Sequence, residues 1–355
     1  MTVTAAKGII GFGLQSGMGV LATKFYRHRA MMVDLDTIDE TREGAPEVGG
    51  IPIPTFPYKA GPVVGGGFTI QPRLESTLGW LLYGLLGDVD SSIDEYATAD
   101  VYDHVFGLKA GEEEYVPWMS FRKSIPGKAG DPTSELGQQF KDCKIIGGTL
   151  VLPNDAPLTM RVDVLGREFS LVHGQDEYPW EWENEFEHWE SIPVGCMTGG
   201  FLKINEQELP VVAAQVGFQN VPLDIRQERI YGSPFLEDIT IVQRRLTYDI
   251  TVKYNDPDLY ATILTGTPTG TEWSGQPHTG SFEVVAVSGQ NMPLEAIPYQ
   301  LTISAGEVMM NQVGGIALAA NQGVMMRFSG VALEGTAAYA TFTLKNKVEE
   351  YEFPV

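Results

Sequence analysis

Leu246-Thr247-Tyr248-Asp249-Ile250-Thr251-Val252-Lys253-Tyr254 places an apolar side chain at every second position. That is the period of a strand with one buried face. A helix signal follows at once. Asn255 or Asp256 can cap it, and Pro257 suits a first turn. Leu259, Tyr260, Ile263 and Leu264 make one apolar face, and Gly266 ends it. The same order occurs earlier in the chain. Phe68 and Ile70 alternate after Gly65-Gly66-Gly67, and Leu74, Leu78, Leu81, Leu82 and Leu85 then share one helical face. This predicts a helix over Leu74–Leu86, closed by Gly87.

A second likeness lies downstream of each helix. Ile146-Gly147-Gly148-Thr149-Leu150-Val151-Leu152 resembles Val313-Gly314-Gly315-Ile316-Ala317-Leu318. Thr159-Met160-Arg161-Val162 resembles Met325-Met326-Arg327-Phe328 at similar spacing. Strand, helix, long loop, strand, turn and strand therefore occur twice. The expectation is a mainly β protein of two related domains, 1–190 and 191–355, each with one short flanking α-helix.

The boundary has its own pattern. Across Trp180-Glu181-Trp182-Glu183-Asn184-Glu185-Phe186-Glu187-His188, aromatic and acidic residues alternate. As a strand, this stretch packs Trp180, Trp182 and Phe186 inward. Glu181, Glu183, Glu185 and Glu187 then form a candidate acidic face, toward either a lumen or solvent.

Composition excludes several functions. The 355 residues carry 46 Asp+Glu against 24 Lys+Arg, a net charge of −22. Such a chain repels DNA phosphates and anionic membranes, and suits a surface along which DNA slides without sticking. The 40 glycines and 22 prolines recur along the whole length, as in short strands joined by turns. No secretory signal and no membrane-spanning run is read, so synthesis in a cytoplasm is expected. Cys143 and Cys196 demand no disulfide. His28, His104, His173, His188 and His278 lack metal-ligand spacing. Gly65-Gly66-Gly67 lacks the Gly-Lys-Ser/Thr of a phosphate loop. No nucleophile motif appears. Neither catalytic residue, metal nor cofactor is expected, and the chain reads as a non-enzyme.

One family resemblance is specific enough to state. Gly11-Phe12-Gly13-Leu14-Gln15-Ser16-Gly17-Met18-Gly19, then Phe25-Tyr26-Arg27-His28, then Glu47-Val48-Gly49-Gly50-Ile51-Pro52-Ile53-Pro54-Thr55 and the first helix resemble the start of siphophage tail tube proteins. The resemblance implies β-sandwich or barrel domains and no chemistry. It implies a virion protein that stacks as rings into the hollow tail tube for DNA passage. Tape-measure and tail terminator or tip proteins would be its partners. A long inter-ring loop is expected near 31–61. The family has one tube domain per chain and six chains per ring. Two domains in one chain favour a trimeric ring, with a hexamer as the alternative. Lys24, Arg27, Arg29, Glu47, Ile51, Pro54 and Phe56 are the candidate inter-ring or inter-subunit contacts. The Trp-rich stretch motivates the other reading, a carbohydrate-binding or adhesin-like β-protein.

Overall fold

A computed structural model describes residues 8–45, 48–49, 53, 56–95, 97, 100–108, 116–127, 135–173, 180–183, 199–254, 257–312, 316, 323–334 and 339–351. The protein is mainly β. The first half contains β1 (Ile9–Leu14), β2 (Tyr26–His28), β3 (Ala30–Val33), β4 (Asp36–Glu43), β5 (Pro57–Ile70), α1 (Thr77–Leu86), β6 (Gly87–Ile93), β7 (Tyr102–Leu108), β8 (Met119–Ile125), β9 (Leu136–Pro153) and β10 (Thr159–His173). The second contains β11 (Gly200–Ile204), β12 (Gln207–Glu208), β13 (Val211–Pro222), β14 (Ile241–Lys253), α2 (Pro257–Thr265), β15 (His278–Asn291), β16 (Pro298–Gln312), β17 (Met325–Ala332) and β18 (Thr341–Asn346).

Strand pairing follows one order in both halves. In the first it runs β4–β5–β10–β9–β8–β1, antiparallel throughout. In the second it runs β13–β14–β17–β16–β15–β11, also antiparallel. The register agrees as well. Arg161 lies opposite Thr69, and Arg327 lies opposite Thr251. The Met-Arg likeness therefore marks equivalent positions. The Gly-Gly likeness slips. Gly148 faces Val162, whereas the position facing Phe328 is Gln312. Gly314 and Gly315 lie outside the described residues.

The halves share one sheet. Gly147–Pro153 of β9 pair with Ala213–Gln219 of β13, and β7 pairs with β18. They also share one core, in which Phe68, Leu82, Phe121, Phe140, Phe218, Phe328 and Phe342 belong to one cluster. The expected boundary at 190/191 lies outside the described residues.

Helix α1 is buried almost all round, including Leu78, Leu81, Leu82, Leu85 and Leu86. Gly87 ends it in the left-handed conformation, φ 93°, with its N–H on the Tyr83 carbonyl. The second half satisfies the last carbonyls. Asn220 Nδ2 donates to Leu85 O at 2.8 Å, and Arg244 Nη1 donates to Leu86 O at 3.2 Å. Two further second-half residues fix the start. Asn346 Nδ2 donates to Leu74 O, and the Tyr351 hydroxyl donates to Ser76 O at 2.8 Å. Helix α2 differs. It matches its expected bounds and Gly266 follows it at φ 79°, but none of its residues is fully buried. The expected caps, Asn255 and Asp256, lie outside the described residues.

Several expectations are corrected. Helix α1 starts at Thr77, and Leu74 is buried in the preceding turn. The span 31–61 is not chiefly a loop, because 31–33, 36–43 and 57–61 are strand. Residues 180–183 are not strand. Trp180 is nevertheless buried, and Glu181 and Glu183 are exposed.

Two predictions concern stability. A Cβ added at Gly79 would lie 2.1 Å from Tyr351 Cζ. Gly79→Ala should therefore cost about 1–3 kcal/mol of stability by overpacking and lower the urea midpoint, although Ala favours helix by about 1 kcal/mol. An unchanged midpoint would mean that Tyr351 does not fix the helix. The second concerns His28, which is wholly buried. Burial lowers its pKa to about 4. The bond to the Arg29 carbonyl opposes that shift and the Arg73 charge adds to it. The neutral ring is favoured in the fold, so its stabilisation is complete above the ordinary value of 6.5. It is lost as pH falls from there toward 4, by about 3 kcal/mol in all. Thermal melts of His28→Gln should fall less steeply than wild type across that window, and parallel curves would refute the assignment.

Candidate functional site: assembly surfaces

The sheet formed by β4, β5, β10, β9, β13, β14, β17 and β16 has one face on the core. The other is open along much of its length. Register sets Thr69, Arg161, Thr149, Gly217, Thr247 and Val331 side by side across it. Gln215, Gln219, Thr251, Ser329 and Asn311 lie on the same side, mostly hydroxyl and amide groups. The two arginines at equivalent positions are each held by carboxylates. Arg161 Nη2 donates to both oxygens of Asp34 at 2.8 and 3.0 Å, and its Nε to Asp163 at 2.9 Å. Arg327 makes a two-pronged contact with Asp249. Exposed, solvent-screened pairs of this kind add little stability. Their effect is local, since each carboxylate partner offsets the guanidinium charge. These rows carry Arg161, Arg245, Lys253 and Arg327 against Asp34, Asp163 and Asp249. The acidic surplus of the chain thus lies mainly elsewhere.

One end of this face is covered in the first half. The connection between β13 and β14, residues 223–240, lies over it as a strap. Leu236 and Ile239 pack with Val63, Trp118 and Leu165 in a small separate cluster. Lys144 Nζ donates to Ile239 O at 2.8 Å, reaches Asp238 at 3.4 Å, and stands 4.2 Å from the Trp118 ring centroid. Arg167 Nε donates to Leu236 O at 2.6 Å, and Arg229 Nη2 to Gly61 O at 3.1 Å.

Arg167 also serves the chain's early segment. Asp142 is fully buried at φ 53°, a conformation that non-glycine residues seldom adopt. Its carboxylate accepts from Gln15 Nε2 at 2.8 Å, the Gly19 N–H at 2.7 Å and Arg167 Nη1 at 3.1 Å. Its own N–H donates to Gln15 Oε1 at 2.8 Å. The buried charge is thus paired and hydrogen-bonded, as low-dielectric burial requires. Neither this network nor the strap was legible from spacing. The only sequence signal for the strap was Ser233-Pro234-Phe235-Leu236 between two strand patterns.

The predicted contact residues do not form one cluster. Lys24 and Arg29 are exposed, Arg27 is half-buried on β2, and Phe56 is exposed. Glu47, Ile51 and Pro54 lie outside the described residues. Around Phe56 the strands β4 and β5 make an arm that leaves Ile38 and Tyr58 exposed, while Met31 and Met32 stand exposed on β3 beside it. Asp39 pairs with Lys59 across the arm. Strand β4 pairs only with β5 among the described residues, so its other edge is open.

The acidic stretch is described only in part. Glu181 and Glu183 are exposed, whereas Glu185 and Glu187 lie outside the described residues. Trp180 packs against Gly137 beneath Arg122, and Trp182 packs against Gly11. Neither ring offers the open stacking platform that sugar binding needs. Cys143 is buried and burial raises its pKa well above the ordinary thiol value, which suits an inert core thiol. Cys196 lies outside the described residues. Among the described residues no His, Cys, Asp and Glu group could hold a metal ion. Among the described residues no helix is long and apolar enough to cross a membrane.

One protein family, described as phage tail tube protein, matches the chain over residues 5–343. No curated protein matches it.

Proposed function

The chain belongs to the phage tail tube protein family, and from that membership we propose that it self-assembles into stacked rings forming the hollow tube through which DNA leaves the capsid. A tail tube protein is a component of the virion tail. The further reading is a long non-contractile tail, with synthesis in the host cytoplasm. Tape-measure and terminator or tip proteins are the expected neighbours. The role is assembly without chemistry or cofactor.

The observation that carries the reading is the sheet. Two halves with the same pairing order are joined edge to edge through β9 and β13, so one chain already holds one lateral junction. We take 1–190 and 191–355 as two related tube domains. Three chains then supply six equivalent units, and a heterologous contact that closes laterally gives a ring. The trimer is preferred to a hexamer for that reason. The open sheet face, with Arg161 and Arg327 held by aspartates, suits the channel lining. DNA passing it meets amides, hydroxyls and offset charges. The arm within 31–61, which carries the exposed candidate Phe56, is assigned to contacts between rings or subunits, as are Lys24 and Arg29 outside it.

Negative-stain microscopy of the purified chain, across concentration and salt, should find hollow tubes or stacked rings with threefold averages. Sixfold averages would overturn the trimer alone. Persistent monomers, with or without a tail-tip initiator, would count against the tube. Deleting residues 47–54 should stop tube growth yet leave the melting temperature within a few degrees. Tubes of normal length from that variant would remove the arm from the assembly.

A further inference from the structure

Helices α1 and α2 occupy the same place in the repeated order, each directly after the strand that pairs with the Met-Arg strand. Their surroundings differ in one respect. The second half of the same chain covers α1, with Asn220, Arg244 and Tyr351 on it. Nothing comparable covers α2 among the described residues. Leu259, Tyr260, Ile263 and Leu264 are all half-exposed. Beside them runs a groove lined by Ile263, Leu264, Trp273, His278 and Met310. Trp273 stands 80% exposed at its rim.

The sheet repeats this asymmetry. Gly65, Leu165 and Lys144 stand in register in the first half, and Thr247, Val331 and Met309 hold the equivalent positions in the second. The strap buries Leu165 to 7% exposure, whereas Val331 and Met309 remain half-exposed. The edges complete the pattern. Strand β13 is paired on both sides, by β14 and β9, while its equivalent β4 is paired on one among the described residues. One chain thus has its inner junction filled. It leaves the α2 side of the second half and the β4 edge of the first without their counterparts.

We infer that the contact between the two halves of one chain recurs between chains, with the groove of α2 and Trp273 covered by the first half of the next copy. The open β4 edge of that copy enters beside it. Strand edges exposed in this way are natural sites for pairing with another chain. The occupant is a second copy because its first half is what the repeated order places there. A large aromatic beside a helix groove is the kind of residue that dominates such interfaces. This inference rests on the proposed ring and names the surface that closes it.

The test uses the full chain under conditions where wild type forms rings. Trp273→Ala should raise the concentration needed for rings by about tenfold or more. Ile263→Asp should abolish them. Trp273→Ala should melt within a few degrees of wild type, since that side chain is 80% exposed. Because an aspartate on α2 can harm folding, a photocrosslinking residue at position 273 gives a second readout. With isotopically light and heavy chains mixed, it should join peptides of the first half of a different chain. Wild-type rings with crosslinks only within one chain, or to the second half of another, would overturn the inference while leaving the tube reading intact. Unchanged ring formation by both variants would overturn it likewise. Absence of wild-type rings would defeat the tube reading itself, and this inference with it.

Discussion

A helix can end inside a protein only if its last carbonyls find donors, and α1 ends between the two halves of the sheet. Four carbonyls at a helix C-terminus have no partner within the helix. An orphaned buried one costs about 1–3 kcal/mol. Here Gly87 turns the chain back onto Tyr83 O, and Asn220 and Arg244 supply the Leu85 and Leu86 carbonyls. Both residues lie on second-half strands. The first half's helix is therefore satisfied only when the second half is in place. Asn346 and Tyr351 impose the same dependence at the other end. His104 of β7 meets Asn346 Oδ1 at 3.1 Å beside these contacts. Pairing of β7 with β18 and burial of α1 are thus one event, which is why the halves share a core.

The same constraint explains how repeated halves diverge. Two copies of one strand order need not be buried alike when only one junction lies inside the chain. The filled junction recruits specific polar partners, such as Asn220, whose amide bridges Leu85 O and Ile145 O. Its glycines are fixed by contact. Gly148 lies under Leu85, and Gly84 lies against the Met119 sulfur. Among the described residues, the α2 side of the second half carries no such fitted pieces. It keeps half-exposed Leu259, Ile263 and Leu264 at a level that a folded subunit tolerates. An apolar helix face left in that state fits a contact made after folding.

Local pattern made some of this legible. The bounds of α2 could be read because Pro257 and Gly266 punctuate it and the preceding strand alternates without a break. Arg161 and Arg327 were found as equivalents because the residue type persists where the register is the same. The rest depended on contacts distant in sequence. Leu74 fits the helical face of α1, yet its carbonyl is taken by Asn346 and the helix begins later. The β6–β7 hairpin carries a polar, acidic outer strand whose Val89-Asp90-Ser91-Ser92 pattern shows no core face. It is a strand because β7 adds to β18. The strap was invisible since its anchors, Val63, Trp118 and Leu165, come from three separate strand regions. At its described start, 180–183, the aromatic run was read correctly for burial at Trp180 and wrongly as strand: Trp180 packs on Gly137 and Trp182 on Gly11, and a single backbone bond, from the Glu183 N–H to Phe25 O, ties it to the chain before β2.

Charge bears on the proposed passage of DNA through its placement as well as its total. A net charge of −22 invites the idea of a lumen kept clear by carboxylates. The open sheet face is instead nearly balanced, with two equivalent arginines held by aspartates. A strongly acidic wall repels a phosphate backbone and opposes its entry, whereas free arginines bind it and release counterions. Paired charges on a rigid sheet avoid both. Each guanidinium already spends its Nε and Nη2 on aspartate, which offsets its charge and leaves fewer donors for a passing phosphate. On the proposed tube reading, the acidic surplus on other exposed surfaces would favour separate subunits before assembly, while the balanced face would meet the DNA after it.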